Sequence, residues 1–340
     1  MIRVLIVDDS ALVCTLLTKA LTADPEIEVV GAAPDPYVAR DMIAERRPDV
    51  LTLDLNLPRM DGLSFLRRLM VHYPLPVIVV STLTQALSAT AVEALGSGAF
   101  DVVGKPQGPG HRLEDMTASL VEKVKAASRV NPRNLMPQQQ SPQIDRPLPA
   151  ESGQRIVLIG ASTGGTIAIE SVLRALPERS PAILIAQHMP QGFTASFAAR
   201  LDASCRLDVK EATSGDEIVP GRVLIAPGSQ HLRVERKGGR LTAMLSDDPP
   251  VNRHRPSVDV LFRSAAEQLG SNAVGVLLTG MGSDGARGLL AMRRSGARTI
   301  AEDESSCVVF GMPAEAIALG AAEEVVPLPG VPARILALAA

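Results

Sequence analysis

Short, unbroken apolar runs alternate along this chain with segments whose apolar residues recur at helical spacing. In the N-terminal part the runs lie near 2–8, 28–33, 50–55, 77–81 and 99–103, and amphipathic stretches fill 10–23, 36–46, 62–73, 86–97 and 112–127. Strands covered by helices on both faces read as continuous Val/Ile/Leu runs, so these five pairs predict a parallel sheet between helical layers. Further runs near 155–160, 182–187, 221–226, 273–279 and 297–301 continue the α/β pattern, with a hairpin predicted around Lys237-Gly-Gly-Arg240. The rhythm breaks once. Residues 131–152 carry five prolines and almost nothing that could form a core, which predicts a semi-extended linker. The chain therefore divides into 1–127, a Pro-rich linker over 128–152, and 153–340.

Composition narrows this picture. At 340 residues the chain is long enough for two cores, and no apolar run approaches the ~18 residues of a membrane span. The N-terminus turns acidic at Asp8-Asp9 before a signal-type apolar segment could form, and membrane insertion is not expected. Cys14, Cys205 and Cys307 are odd in number, far apart and without metal-ligand spacing, as for buried thiols in a reducing cytoplasm. A net charge of −3 with mixed signs, and 2% aromatic residues, speak against a nucleic-acid partner.

In the first half, chemistry-bearing residues gather where strands are predicted to end: Asp8 and Asp9, then Asp54, then Ser81, then Lys105 before Pro106. Ligands bind at the carboxyl edge of open parallel sheets. Three carboxylates there need a cation such as Mg²⁺ to stay ionised, and one could then attack a phosphoryl donor while Lys105 and Ser81 hold the transferred oxygens. For any one of these residues taken alone, helix capping is the competing reading, as for Asp9 or Ser10 ahead of 10–23.

In the second half, Gly160-Ala-Ser162-Thr-Gly164 follows an apolar strand and precedes a helical stretch, which fits G-x-S-x-G and sets a hydroxyl beside free N–H groups. His188 closes the run 182–187, and Asp284 lies just past the run near 273–279. All three are predicted at one sheet edge, the setting of a nucleophile, base and orienting acid. Competing readings are a helix cap or phosphate cradle at Ser162, a merely hydrogen-bonded His188, and Asp284 capping a helix that begins near 284. The stretch is not the G-x-G-x-x-G of a dinucleotide site. Among the other histidines, His72 and His111 read as solvated, His231 as opening a polar hairpin, and His254 as crowded by Arg253 and Arg255.

Val-Asp-Asp-Ser, Leu-Asp-Leu-Asn-Leu-Pro-Arg-Met-Asp-Gly, Val-Ser-Thr and Gly-Lys-Pro resemble a response-regulator receiver domain over 1–125. Gly-Ala-Ser-Thr-Gly-Gly, Gln-His-Met-Pro, His-Arg-Pro-Ser-Val-Asp, Leu-Thr-Gly-Met-Gly-Ser-Asp-Gly and Val-Val-Phe-Gly-Met-Pro resemble the chemotaxis methylesterases of the CheB family over 153–330. The resemblance implies a flavodoxin-like (βα)5 receiver followed by a doubly wound, mostly parallel α/β hydrolase domain. It implies Asp54 as the residue phosphorylated by the histidine kinase CheA, with Asp8, Asp9, Asp54 and Asn56 serving Mg²⁺, and Ser81 and Lys105 sensing the phosphate. Val103 departs from the aromatic switch that many receivers carry on the fifth strand. In the second domain it implies Ser162 as nucleophile, His188 as base, Asp284 as acid, the Met281 N–H as oxyanion donor, and Thr163 as positioning His188. The implied substrates are γ-glutamyl methyl esters on methyl-accepting chemoreceptors, with deamidation of receptor glutamines by the same residues. Arg253 and Arg255 read equally as a docking rim or as surface ion pairs. The alternatives weighed are receptors of a non-chemotaxis pathway, a non-catalytic receptor binder, and a DNA-binding output, for which no basic recognition helix is present.

Overall fold

The two halves of the chain fold as separate α/β units, Met1–Gln138 and Gln139–Ala340, in a computed structural model that describes residues 1–82, 85–105, 113–130, 132–135, 144 and 155–340. Pro106, His111 and most of the expected linker lie outside the described residues. Within 128–152, residues 128–130, 132–135 and 144 are described. Leu135, at the end of a 3-10 turn over Pro132–Leu135, is buried in the first unit, and Ile144 donates its N–H to the Ala175 carbonyl of the second at 3.0 Å.

The first unit alternates strictly: β1 (Ile2–Val7), α1 (Ala11–Thr22), β2 (Ile27–Ala33), α2 (Pro36–Arg46), β3 (Val50–Leu53), α3 (Gly62–His72), β4 (Val77–Thr82), α4 (Gln85–Gly96), β5 (Asp101–Lys105) and α5 (Leu113–Ala127). All pairings are parallel in the order β2-β1-β3-β4-β5, the flavodoxin-like arrangement. Local chemistry starts the helices: the Ser10 hydroxyl accepts the Val13 N–H, Asp35 accepts Tyr37 and Val38 ahead of Pro36, and Asp61 accepts Ser64. Of the two caps considered for α1, Ser10 is the one used. Val103 is buried on β5, where an aromatic switch was absent from the sequence.

The second unit contains β6 (Ile156–Ala161), α6 (Gly165–Ala175), β7 (Ile183–Gln187), α7 (Phe193–Ser204), β8 (Asp208–Glu211), β9 (Arg222–Ile225), β10 (His231–Lys237), β11 (Arg240–Ser246), α8 (Val258–Leu269), β12 (Ala273–Leu277), α9 (Ala286–Arg294), β13 (Arg298–Glu302), α10 (Met312–Ala318), β14 (Glu324–Val326) and α11 (Val331–Ala339). Seven strands pair in parallel in the order β14-β13-β12-β6-β7-β9-β8, while β10 and β11 form a separate antiparallel hairpin. Its turn, Gly238-Gly239, has φ of 57° and 83°, the positive values that a two-residue hairpin matching strand twist requires. The edge strands β8 and β14 were not expected from the sequence. The core between sheet and helices is packed from Leu158, Leu184, Leu224, Leu261, Phe262 and Leu277, with few aromatics.

Strand order reverses at β6, whose neighbours β7 and β12 are reached by connections running in opposite senses. Such a switch point opens a crevice at the carboxyl ends of the central strands. Ser162, His188 and Thr279 emerge there.

Candidate functional sites

In the first unit the carboxylates of Asp8, Asp9 and Asp54 each offer an oxygen within 4.8 Å of the others. Asp8 and Asp54 are buried and Asp9 is exposed. Lys105 Nζ lies 2.8 Å from Asp8 Oδ2 and 2.7 Å from Asp54 Oδ2. Burial opposes the charge on Lys105, but these two bonds outweigh it and its pKa is raised. The Asn56 N–H approaches Asp54 Oδ1 at 3.3 Å, and the Ser10 N–H donates to Asp8 Oδ1 at 2.9 Å. Ser81 stands inside β4 rather than at its end, in the penultimate position, with a buried hydroxyl that has no partner among the described residues. An unsatisfied buried hydroxyl is costly, and a phosphoryl oxygen would satisfy it. Three hard oxygen donors at one mouth fit a Mg²⁺-sized cation.

In the second unit, β6 and β7 run in register with Ala161 opposite Gln187, so the next residues, Ser162 and His188, leave the sheet side by side. The His188 N–H donates to the Ala161 carbonyl at 3.1 Å, and the Ser162 N–H to the Thr279 carbonyl, past the end of β12, at 3.0 Å. Gln187 Nε2 donates to the carbonyls of both Ser162 and His188, at 2.9 and 3.1 Å, tying the two strand ends together. Gly164, at φ 79°, turns the chain into α6, and a Cβ there would meet Val308 Cβ at 2.6 Å. Across the crevice, a Cβ on Gly280 would meet Ser162 Cβ at 2.8 Å, so glycine alone permits this close approach.

His188 Nε2 is 2.8 Å from Asp284 Oδ2, with both side chains buried. His188 Nδ1 is buried without a partner among the described residues. An Nε2–H···Oδ2 bond leaves the Nδ1 lone pair available as a base. The Ser162 hydroxyl makes no hydrogen bond to a described residue here; catalytic hydrogen bonds are often loose until substrate binds. The Met281 N–H is likewise not engaged by a described carbonyl. Thr163 is buried, and its carbonyl accepts the Thr279 hydroxyl at 3.0 Å.

Asp284 does not cap the helix that follows it. Its oxygens accept the Val258 N–H at 2.7 Å, the Ser257 hydroxyl at 2.8 Å and Asn252 Nδ2 at 2.7 Å, so it serves the N-terminus of α8. Asp259 on α8 in turn accepts the Gly285 and Gly288 N–H groups at the start of α9, at 3.1 and 2.6 Å. Each helix thus receives its carboxylate from the other. Burial alone would raise the Asp284 pKa, but the bonds from His188, Asn252 and Ser257 overcome it and hold the carboxyl well below the usual range.

Several contributors were missed in the sequence. His254, read as crowded by arginines, stacks on His188 with ring centroids 3.7 Å apart and planes 8° from parallel. Asn252 bridges Asp284 and Asp259 from a left-handed backbone conformation, φ 52°. The signal for both was the Asn-Arg-His-Arg-Pro segment, whose folded-back shape the one-dimensional pattern does not reveal. His231 is fully buried rather than on a polar surface: Nε2 contacts the Pro249 carbonyl at 3.2 Å and Nδ1 accepts the Ser257 N–H at 3.1 Å, and burial lowers its pKa. Arg255 donates to the Asp247 and Asp248 carbonyls, at 2.8 and 3.2 Å. His72 is exposed, as expected.

A family model described as CheB methylesterase matches residues 157–335, and one described as response regulator receiver domain matches residues 4–117. A relative from Anaeromyxobacter dehalogenans (strain 2CP-C), named protein-glutamate methylesterase/protein-glutamine glutaminase 4, is 54% identical over 99% of this chain and 95% of its own. One from Bordetella bronchiseptica, named protein-glutamate methylesterase/protein-glutamine glutaminase, is 55% identical over 98% of this chain and 96% of its own. The crystal structure of the Thermotoga maritima CheB methylesterase catalytic domain is similar at 42% identity and a TM-score of 0.53, covering 54% of this chain and 98% of that one.

Proposed function

Because the chain belongs to the CheB methylesterase family and carries a receiver domain, we propose that Ser162, His188 and Asp284 carry out its protein-glutamate methylesterase and glutaminase chemistry in chemotactic adaptation, under the control of phosphorylation at Asp54. The observation that supports this most directly is the buried His188 Nε2–Asp284 pair at 2.8 Å, which leaves Nδ1 unpaired beside the strand end bearing Ser162.

The chemistry follows from that polarity. His188 Nδ1 takes the Ser162 proton as the oxygen attacks the γ-carbonyl of a methylated receptor glutamate. Asp284 balances the charge gained by the imidazole, and the Met281 N–H donates to the oxygen that becomes negative. Collapse of the tetrahedral intermediate returns the proton from Nδ1 to the departing methoxide, releasing methanol and leaving an acyl-serine. Water, deprotonated by the same nitrogen, then attacks the acyl carbon, and the proton passes on to Ser162 Oγ as its bond to the acyl group breaks and frees the glutamate. A glutamine follows the same course with ammonia leaving. A methyl group offers only about 1 kcal/mol of contact energy, so selectivity comes from the receptor surface around the ester.

In the receiver, residues 1–127, Asp8, Asp9, Asp54 and the Asn56 carbonyl would hold Mg²⁺, which offsets charge on the incoming phosphoryl group. Asp54 accepts the phosphoryl from the histidine kinase CheA, Lys105 pairs with it, and Ser81 Oγ bonds one of its oxygens. No helix among the described residues is long and apolar enough to cross a membrane, and we assign the enzyme to the cytoplasm, where the kinase and the receptors' methylated segments would meet it.

The test is methanol release from methylated receptor membranes, measured for the full chain with and without Mg²⁺ and a small phosphodonor, and for Ser162→Ala and Asp54→Asn. Loss of release in Ser162→Ala and loss of phosphodonor stimulation in Asp54→Asn are expected. Release unchanged in Ser162→Ala overturns the assignment of the nucleophile.

A further inference from the structure

Beneath the loop that follows β12 sits a carboxyl group with no role in the chemistry above. Glu302, the last residue of β13, is fully buried, and no cation among the described residues pairs with it. Its Oε2 accepts the Thr279 N–H at 2.8 Å and its Oε1 the Ser306 hydroxyl at 3.0 Å. Thr279 is the junction of the site. Its carbonyl receives the Ser162 N–H, and its hydroxyl donates to the Thr163 carbonyl at 3.0 Å while accepting the Val309 N–H at 2.9 Å. The Gly280 N–H beside it donates to the Val309 carbonyl at 3.0 Å. Glu302 therefore holds the residue that fixes both the nucleophile's backbone and the start of the Gly280-Met281 turn.

Buried carboxylates normally have a cationic partner, and this one has the opposite. Asp303 and Glu304 lie on its own turn, together with the buried, uncharged Cys307 thiol. From just past the end of β12 it meets uncharged Thr279. On β14 its register partner is Val326, and Glu324, two residues earlier, is engaged by Arg334 and Arg298. The hydrogen bonds can nevertheless serve a neutral group. Ser306 Oγ also lies 3.2 Å from the Asp303 carbonyl and accepts the Leu328 N–H at 2.9 Å. When Glu302 is protonated on Oε1, it can donate to Ser306 Oγ while the serine turns its own proton to Asp303, and Oε2 still accepts from Thr279. Both protonation states are satisfied without moving a heavy atom.

We propose that Glu302 is a positioning residue for the nucleophile and oxyanion loop, acting through Thr279, and that its neutral form is the active one. An ionised Glu302 would place a negative charge in the interior beneath the turn where the substrate oxygen itself becomes negative, opposing that development. Burial raises its pKa to about 7 against the bonds from Thr279, Ser306 and Cys307, which would set the transition in the working range. The inference rests on the assignment of Ser162 as nucleophile.

The experiment is the rate of Ser162 labelling by a fluorophosphonate in the full-length protein, for wild type, Glu302→Gln and Glu302→Leu, between about pH 5 and pH 9. Glutamine reproduces the neutral form, its oxygen accepting from Thr279 and its amide donating to Ser306. It is expected to label within about threefold of wild type near pH 6 and to lack the decline expected of wild type as pH rises through the Glu302 transition. Leucine leaves the Thr279 N–H unpaired and is expected to slow labelling about 10- to 100-fold, as a small misplacement of reacting groups does. If leucine fails to fold, the glutamine profile decides alone. A glutamine variant slowed more than about tenfold near pH 6, or one that keeps the wild-type decline, overturns the proposal, as does a folded leucine variant that labels normally. Labelling needs no receptor, so protein that labels at Ser162 but leaves receptor esters intact refutes the substrate assignment and not the role of Glu302.

Discussion

Asp284→Asn separates the two tasks of the acid, orienting His188 and balancing its charge. Asp284 receives four close donors: His188 and Val258 on Oδ2, Asn252 and Ser257 on Oδ1. An asparagine can accept on one side only. The Val258 N–H is fixed by the start of α8, whereas the Ser257 hydroxyl can rotate to accept and the Asn252 amide can draw back while keeping its bond to Asp259. The new amide oxygen is therefore expected where Oδ2 stands, keeping Nε2–H as donor and Nδ1 as the basic nitrogen. What disappears is the charge. At an effective dielectric near 20, opposite charges centred about 4 Å apart attract by about 4 kcal/mol, and losing that attraction from the transition state lowers kcat by roughly 10³-fold. The rearranged donors on the Oδ1 side cost about 1–3 kcal/mol of stability. The assay is kcat for methanol release at saturating methylated receptor, with urea denaturation to separate folding from catalysis. A folded Asp284→Asn protein within tenfold of wild type in kcat would refute this account of the acid.

His254→Ala should lower kcat about 2- to 10-fold with KM unchanged, the worth of one aromatic stack, and His254→Phe should restore it; equal losses in both variants would show that stacking is not what His254 supplies. The depressed pKa of Asp284 means that its charged form stabilises the folded state above the unfolded pKa near 4 and that this contribution drains away as pH falls through the lower folded value. Urea midpoints measured from pH 6 to pH 2 should accordingly drop more steeply for wild type than for Asp284→Asn, and parallel curves would contradict the reading. In the receiver, Lys105→Met removes the cation shared by Asp8 and Asp54 and should tighten Mg²⁺ binding about tenfold, ~1.4 kcal/mol, while abolishing stimulation by phosphodonor. Calorimetric titration with Mg²⁺ checks the first effect, and an unchanged Kd would sink it.

The parallel sheets were legible because most of their strands are short unbroken apolar runs, the pattern of strands covered on both faces, and the residues at their carboxyl ends, from Asp8 to Lys105 and from Ser162 to Asp284, follow from that edge. Glu324–Val326 escaped notice because three residues of partly exposed strand carry no periodicity. Asp208–Glu211, with Val209 its one apolar residue, reads as loop for the same reason. The competing reading of Asp284, as a cap for its own following helix, fails for a different reason. Capping is inferred from residues a few places apart, whereas here the donor and acceptor are exchanged between helices more than twenty residues distant in sequence. His254 was set aside because its neighbours along the chain are arginines, yet what it meets in space is the ring face of His188. Glu302 showed no sign at all, since a carboxyl at the end of a strand looks the same in sequence whether it faces solvent or the interior.

The exchange of carboxylates between α8 and α9 gives Asp259 an unusual genetic profile. It touches neither nucleophile nor base, but without it the start of α9 loosens and Asn252 loses one of its two anchors. A screen that scores only surviving enzyme would rank Asp259 beside Asp284, although substrate never reaches it. Telling the two apart requires asking which loss is recovered when the protein is cooled: a clasp that has merely slackened can close again, whereas a missing counter-charge does not return.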